Sequence, residues 1–190
     1  MKGLLIVLSG PSGVGKGTVR KILMEDKSLN LAYSISMTTR KPRVGEVDGE
    51  DYFFVSQAEF DKAIDNNELL EHARFVNNSY GTPRTYVEKL RNEGKNVLLE
   101  IETNGARAVM EKTKGDNLFL SIFLLPPSLE ELEKRIRGRR TEEEEIVQER
   151  LSKARSEISL QDLYDFKVVD ITPEQAAKEI SDIIKSKMSL

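Results

Sequence analysis

Residues 4–18 constrain this chain more than any other stretch. Leu4, Leu5, Ile6, Val7 and Leu8 run into Ser9, and then come Gly10, Pro11, Ser12, Gly13, Val14, Gly15, Lys16, Gly17 and Thr18. A short unbroken apolar run reads as a strand buried on both faces, as in a parallel sheet. The glycines that follow cannot continue a strand. They reach positive φ and let the main chain approach a ligand with no Cβ in the way. After Gly15 the apolar period turns helical, with Val19, Ile22 and Leu23 on one face. Strand, glycine loop, lysine and helix make up the P-loop arrangement. Loop amides and the helix N-terminus point at one spot, which suits a phosphate, and Lys16 adds a full positive charge beside it. Gly10 to Thr18 is therefore the candidate phosphate-binding segment. The general pattern has a hydroxyl directly after the lysine, but here Gly17 stands there and the hydroxyl follows at Thr18. A metal ion is accordingly expected to be held by phosphates and water.

Composition narrows the class. A chain of 190 residues suffices for one α/β domain carrying an inserted lobe. Its 29 basic and 32 acidic residues give a net charge of -3, so no global basic field suggests nucleic acid. Basic residues do cluster locally, at residues 40–43 and 135–140. The absence of cysteine excludes a disulfide framework and thiol catalysis and fits a reducing cytoplasm. Residues 4–8 are too short for a signal peptide, and the longest mostly apolar run, residues 118–125, is far below membrane-spanning length.

Along the chain, the first helix is expected to end near Asp26, and the alternation over residues 32–37 reads as a strand. Pro42 and Gly45 make the next segment a loop holding Arg40 and Arg43, whose planar guanidinium groups can each grip a phosphate by two parallel bonds. Residues 51–55 read as a strand, and Ser56 with Glu59 as a capping box opening a helix to about Asn66. Residues 69–76 form a further strand carrying Glu71 and His72, the latter read as structural, and residues 77–81 a turn. Thr82 is expected to cap a helix with Pro83 at its first position, running to Gly94. The short strands of residues 36–86 look antiparallel and would form the inserted lobe. A second buried strand over residues 96–102 ends in Glu100 and Glu102, where carboxylates beside a P-loop hold Mg²⁺ or its waters. A helix over 103–114, a third buried strand over 117–125 and a helix capped by Ser128 follow. Arg135 and Arg139 lie four apart, and a helix opening at Thr141 carries Arg150. A strand over 164–170 and a helix capped by Thr172 close the chain.

Together these segments resemble guanylate kinases over essentially the whole chain. The Gly-Lys-Gly-Thr loop is similar to that of nucleoside monophosphate kinases. Ser36, Thr38, Thr39, Arg40, Arg43, Gly45 and Glu46, followed by Asp48, Gly49, Asp51, Tyr52, Phe54 and Val55, carry the more specific signature. Tyr80-Gly81-Thr82, Pro126-Pro127-Ser128 and Gly138-Arg139-x-Thr141 follow in the expected order. The resemblance implies a P-loop parallel sheet flanked by helices (residues 1–35 and 87–190), a GMP-binding lobe over about 36–86 and a helical lid over about 135–155. It implies that Arg40, Arg43, Tyr52 and Tyr80 hold the GMP phosphate, that Ser36, Glu71 and Thr82 read guanine with Glu102 nearby, and that Arg135, Arg139 and Arg150 close over ATP. Glu71 makes chemical sense, because guanine offers two adjacent donors that one carboxylate can accept. Lys16, Arg40 and the three lid arginines are the implied catalytic set, with Glu100 addressing Mg²⁺ through water. Glu100 and Glu102 stand where many members carry Asp, and Arg140 where Gly is usual.

The implied activity is phosphoryl transfer from ATP to GMP in the cytoplasm, with no nucleic acid or membrane partner, as a monomer or homodimer. Two alternatives stand beside it. One is a guanylate kinase-like interaction module without turnover, against which Lys16 and the intact glycine loop argue. The other is a kinase for a different monophosphate, against which Glu71, Ser36 and Thr82 argue.

Overall fold

The computed structural model of the chain describes residues 1–75, 77–138 and 144–189. The apolar run forms β1 (Leu5–Ser9), buried throughout, and the glycine loop leads from it into α1 (Lys16–Glu25). Next come β2 (Leu31–Tyr33), β3 (Met37–Thr38), β4 (Phe53–Phe54), α2 (Gln57–Asp65), β5 (Leu69–Phe75), β6 (Asn78–Pro83) and α3 (Arg84–Asn92). The chain continues through β7 (Asn96–Glu100), α4 (Thr103–Lys112), β8 (Phe119–Leu125), α5 (Leu129–Arg137), α6 (Glu144–Ile158), β9 (Phe166–Val169) and α7 (Pro173–Met188).

Two sheets result. The larger has the order β2-β7-β1-β8-β9 with every pairing parallel. Its central strands have no solvated face. Ile6 and Leu8 pack with Leu98, Ile122 and Leu124 against Val19 and Leu23 of α1 and Ile180 and Ile184 of α7. Leu5 and Val7 pack on the other face with Val97, Leu99 and Phe123 against Val87 of α3 and Ala106 and Val109 of α4. This double burial is why β1, β7 and β8 read as continuous apolar runs. Because all strands run one way, their C-terminal ends share one edge of the sheet.

The smaller sheet has the order β4-β3-β6-β5. The structure corrects four local expectations in and beside it. Residues 32–37 are not one strand: Ser34 N donates to Leu98 O at 3.2 Å, whereas Ser36 O accepts from Phe53 N at 2.9 Å, so the backbone changes sheets between them. Residues 77–81 are not all turn, since Asn77 takes φ 63° and β6 begins at Asn78. Thr82 and Pro83 end β6 and do not open α3 by a side-chain cap, because the Thr82 hydroxyl is bonded to Glu71. The pairing is also mixed, with β3 parallel to β4 and antiparallel to β6. The capping boxes fare as read. Ser56 and Glu59 bond reciprocally at α2, and Ser128 and Thr172 accept from Glu131 N and Gln175 N. The opening at Thr141 lies outside the described residues.

The smaller sheet has a core of its own, in which Phe60, Ala63 and Leu69 are packed by Met37, Val55 and Ile64. Phe60 is 1% exposed. We expect Phe60→Ala to cost about 3–5 kcal/mol of stability, read as a lower urea midpoint at unchanged slope.

Candidate active site

The glycine loop leaves β1 at the shared edge of the larger sheet. Gly15 takes φ 113°, and a Cβ there would lie 2.8 Å from Asp170 Oδ2, so both conformation and space demand glycine. Among the described residues, the amides of Gly13, Gly15, Lys16 and Gly17 meet no protein acceptor. A row of such donors at a helix start is a site for an anion. Lys16 Nζ turns back over the loop and donates to Gly10 O at 2.6 Å and Pro11 O at 3.2 Å. Burial lowers its pKa below the usual lysine range, against the opposing pull of Glu157, Glu100 and Glu102. These groups line a cavity of about 640 Å³ together with Ser12, Thr18, Arg20 and Lys21.

Glu100 ends β7 and accepts from Arg20 Nε at 2.6 Å. Arg20 also lies over the Tyr33 ring at 4.4 Å. Glu102 is exposed and accepts from Lys153 Nζ at 3.2 Å. No group of three or more acidic or imidazole side chains is placed to cage a metal among the described residues. Mg²⁺ needs no such cage, since it keeps several waters and is bound by phosphates with one or two carboxylates. Glu100 Oε1 lies 3.7 Å from where a Gly17 Cβ would stand, so this carboxylate borders the start of α1 and fits a water-mediated ligand.

A second cluster belongs to the smaller sheet. Arg40 makes two parallel bonds to Glu46, at 2.9 and 2.8 Å, and donates to Lys41 O at 2.9 Å. Its guanidinium lies 5.3 Å from the Tyr52 ring centre and 5.7 Å from that of Phe54. Tyr52 in turn meets Tyr80 edge-on at 6.3 Å. Glu46 Oε2 accepts from Arg43 N at 2.7 Å, while the Arg43 side chain is exposed. Bonding to Arg40 holds the Glu46 carboxyl down to about 2.

Glu71 on β5 is buried, at 8% exposure, and accepts from Thr82 Oγ1 at 2.6 Å. Ser36 is half-buried between β2 and β3. A Cβ at Gly105 would stand 2.8 Å from Glu71 Oε2, so α4, which starts one residue past Glu102, brings the Glu71 carboxylate close to the nucleotide-loop cavity. Burial raises the Glu71 pKa, opposed by the Thr82 bond and by Lys112.

The three arginines near residue 140 differ in placement. Arg135 is locked behind the loop, with Nη1 donating to Val14 O and Asp170 Oδ2 at 2.9 Å each and Nη2 to Asp170 O at 3.0 Å. Arg150 Nη2 stands 3.5 Å from Ser12 Oγ. Arg139 lies outside the described residues. Sequence reasoning missed Arg20, Gly105, Glu157 and Asp170 as parts of these clusters, and it read Glu46 as part of the signature without its bond to Arg40. Glu157 had a legible signal: it extends the inner stripe of α6 marked by Val147, Leu151 and Ala154. Asp170 had none, because an acid after a strand is normally solvated. His72 is exposed on β5.

Comparison with known proteins adds a family. A family model described as guanylate kinase matches residues 2–187. A guanylate kinase of Mesoplasma florum is 56% identical over 183 residues, covering 96% of this chain and 61% of that protein. The chain thus spans about three fifths of that relative's length. A guanylate kinase of Enterococcus faecalis is 53% identical over 186 residues, covering 98% of this chain and 90% of that protein. Among solved structures, guanylate kinase from Anaplasma phagocytophilum superposes with a TM-score of 0.74 at 36% identity, covering 98% of this chain and 86% of that one.

The buried Glu71 yields a stability test. In the unfolded chain its carboxyl titrates near pH 4.3, and in the folded chain higher, because burial disfavours the anion. Between the two values the folded state holds the extra proton, so the Glu71 contribution to stability falls as pH rises through that window. We expect Glu71→Gln, which cannot ionise, to match the parent melting temperature near pH 4 and to exceed it at neutral pH. A pH-independent difference would refute the assignment.

Proposed function

The chain belongs to the guanylate kinase family, and from that membership we propose that it transfers the terminal phosphoryl group of ATP to GMP, giving ADP and GDP. The observation that carries the choice of acceptor is the buried Glu71 carboxylate bonded to Thr82. A carboxylate accepts from both guanine N1–H and N2–H₂, whereas adenine offers it an acceptor at N1. Ser36 and Glu102 complete this base-reading set in the proposal.

ATP phosphates lie on the amides of Gly13, Gly15, Lys16 and Gly17, with Lys16 neutralising charge as it moves to the acceptor. Arg40, Arg43, Tyr52 and Tyr80 hold the GMP phosphate. That phosphate oxygen is already anionic, so no general base is needed. What the protein supplies is in-line placement and charge neutralisation. Mg²⁺, when bound, would add charge neutralisation at the phosphates, and Glu100 is the residue that would hold one of its waters. The segments 36–86 and 135–155 act in this reading as a GMP lobe and a lid, with Arg139 and Arg150 facing ATP from the lid and Arg135 holding the loop from behind. Closure around both nucleotides excludes water that would otherwise hydrolyse ATP. We place the activity in the cytoplasm; no helix among the described residues is long and apolar enough to cross a membrane.

The test is a coupled ADP-release assay with ATP and each of AMP, GMP, CMP and UMP. GMP alone should be turned over efficiently. Equal rates for AMP and GMP would sink the guanine assignment, and no turnover with any of them would favour the interaction module. Glu71→Gln should lower kcat/KM for GMP about 10- to 100-fold, the mismatch of one buried donor, without moving KM for ATP. Lys16→Met should lose about 2.7–4 kcal/mol of transition-state stabilisation and keep its melting temperature. Near-parent turnover in that variant would remove Lys16 from the catalytic set.

A further inference from the structure

The nucleotide loop is fastened to α6 by a side chain that the proposed phosphoryl transfer does not use. Glu157 is 6% exposed. Its Oε2 accepts the Ser12 amide hydrogen at 3.2 Å, across 145 residues of sequence. Its Oε1 lies 3.8 Å from Lys153 Nζ, which bonds Glu102 Oε2 at 3.2 Å. Two turns back on the same helix, Arg150 Nη2 stands 3.5 Å from Ser12 Oγ. Arg150, Lys153 and Glu157 thus form one stripe of α6 turned toward the loop and the end of β7. A carboxylate this far from water persists only where hydrogen bonds and cations balance it. Its partners here are a main-chain amide of the loop, Lys153, and the field of the half-buried Lys16 ammonium.

Two opposite roles follow from this geometry. By its charge, Glu157 repels an incoming phosphate. By its bond, it fixes Ser12 and with it the path of the loop. The bond decides between them. It is made at Ser12, ahead of the amides of Gly13, Gly15, Lys16 and Gly17, and so it leaves the anion-binding donors unobstructed. We propose that Glu157 is a positioning residue for the donor nucleotide: through the Ser12 amide it holds the loop at a set distance from α6, so that the loop amides and Arg150 address one phosphate chain. The proposal rests on the reading of this loop as the ATP site.

Alanine and glutamine at position 157 separate the two roles. Alanine removes charge and acceptor together, whereas glutamine removes the charge and keeps an acceptor oxygen. KM is measured for ATP at saturating GMP and for GMP at saturating ATP, and ATP binding alone is measured by calorimetry. We expect Glu157→Ala to raise KM and Kd for ATP about tenfold, the loss of one bond to a charged acceptor, with KM for GMP unmoved. Glu157→Gln should restore ATP binding to within a few-fold of the parent. If Glu157→Ala does not fold, Glu157→Met, which fills the volume without an acceptor, carries the same expectation. Tighter ATP binding in both Ala and Gln variants would mean that repulsion dominates, and would overturn the proposal. So would equal rises in both KM values, or no change in either. A parent protein that binds ATP but phosphorylates no GMP would refute the proposed function, while the calorimetry still decides the role of Glu157.

Discussion

Every strand of the larger sheet points the same way, and the rest of the molecule depends on that constraint. Parallel strands buried on both faces must be joined by crossovers, here mostly helical, and their C-terminal ends then gather on one edge. The glycine loop leaves that edge from β1, Glu100 ends β7, and Asp170 follows β9. Side chains far apart in sequence meet there without further arrangement. Arg20 reaches Glu100 across 80 residues and Arg135 reaches Asp170 across 35. The apolar alternation that seats Ile6 against one helical layer and Val7 against the other is therefore also what assembles the polar site.

The edge so formed holds charges of both signs in a largely buried space. Lys16 faces three carboxylates, Arg20 is tied to Glu100, and Arg135 to Asp170. Such pairs contribute little net stability, because desolvation offsets attraction. Their value lies in geometry. Arg135 Nη1 bonds Val14 O and Asp170 Oδ2 together, and the Asp170 carboxylate packs where a Gly15 Cβ would go. The loop is braced from behind by Arg135 and from the side by Glu157, which leaves its forward-facing amides to a ligand.

Most of the fold was legible because its signals were local. The apolar runs of β1, β7 and β8, the capping box at Ser56 and the caps at Ser128 and Thr172 each follow from residues within one turn or strand. What was not legible depended on partners elsewhere in the chain. Thr82 looks like a helix cap until Glu71 claims its hydroxyl. The break at Ser34 to Ser36 cannot be read from residues 32–37, since Leu98 and Phe53 decide it. The phosphate loop, Lys16 and the Arg40 segment were visible as motifs. Asp170 and Gly105 were not, because an acid or a glycine takes its meaning from what it touches.

The grip of Glu46 on Arg40 bears on which anions this molecule can notice. Two donors of the guanidinium already grip a carboxylate of matching shape, and the Arg43 amide holds that same carboxylate. An anion arriving there joins an exchange and does not fill a vacancy. Its rival is part of the same loop, at an effective concentration that a short tether keeps in the millimolar range or above. A free carboxylate offers nothing the internal one lacks and loses that competition. A phosphate monoester near neutral pH carries close to two charges and three acceptor oxygens, so it can win. If the Arg40 segment takes the acceptor phosphate as proposed, this exchange makes it a threshold filter, silent toward the abundant carboxylic acids of a cell and responsive to phosphate esters.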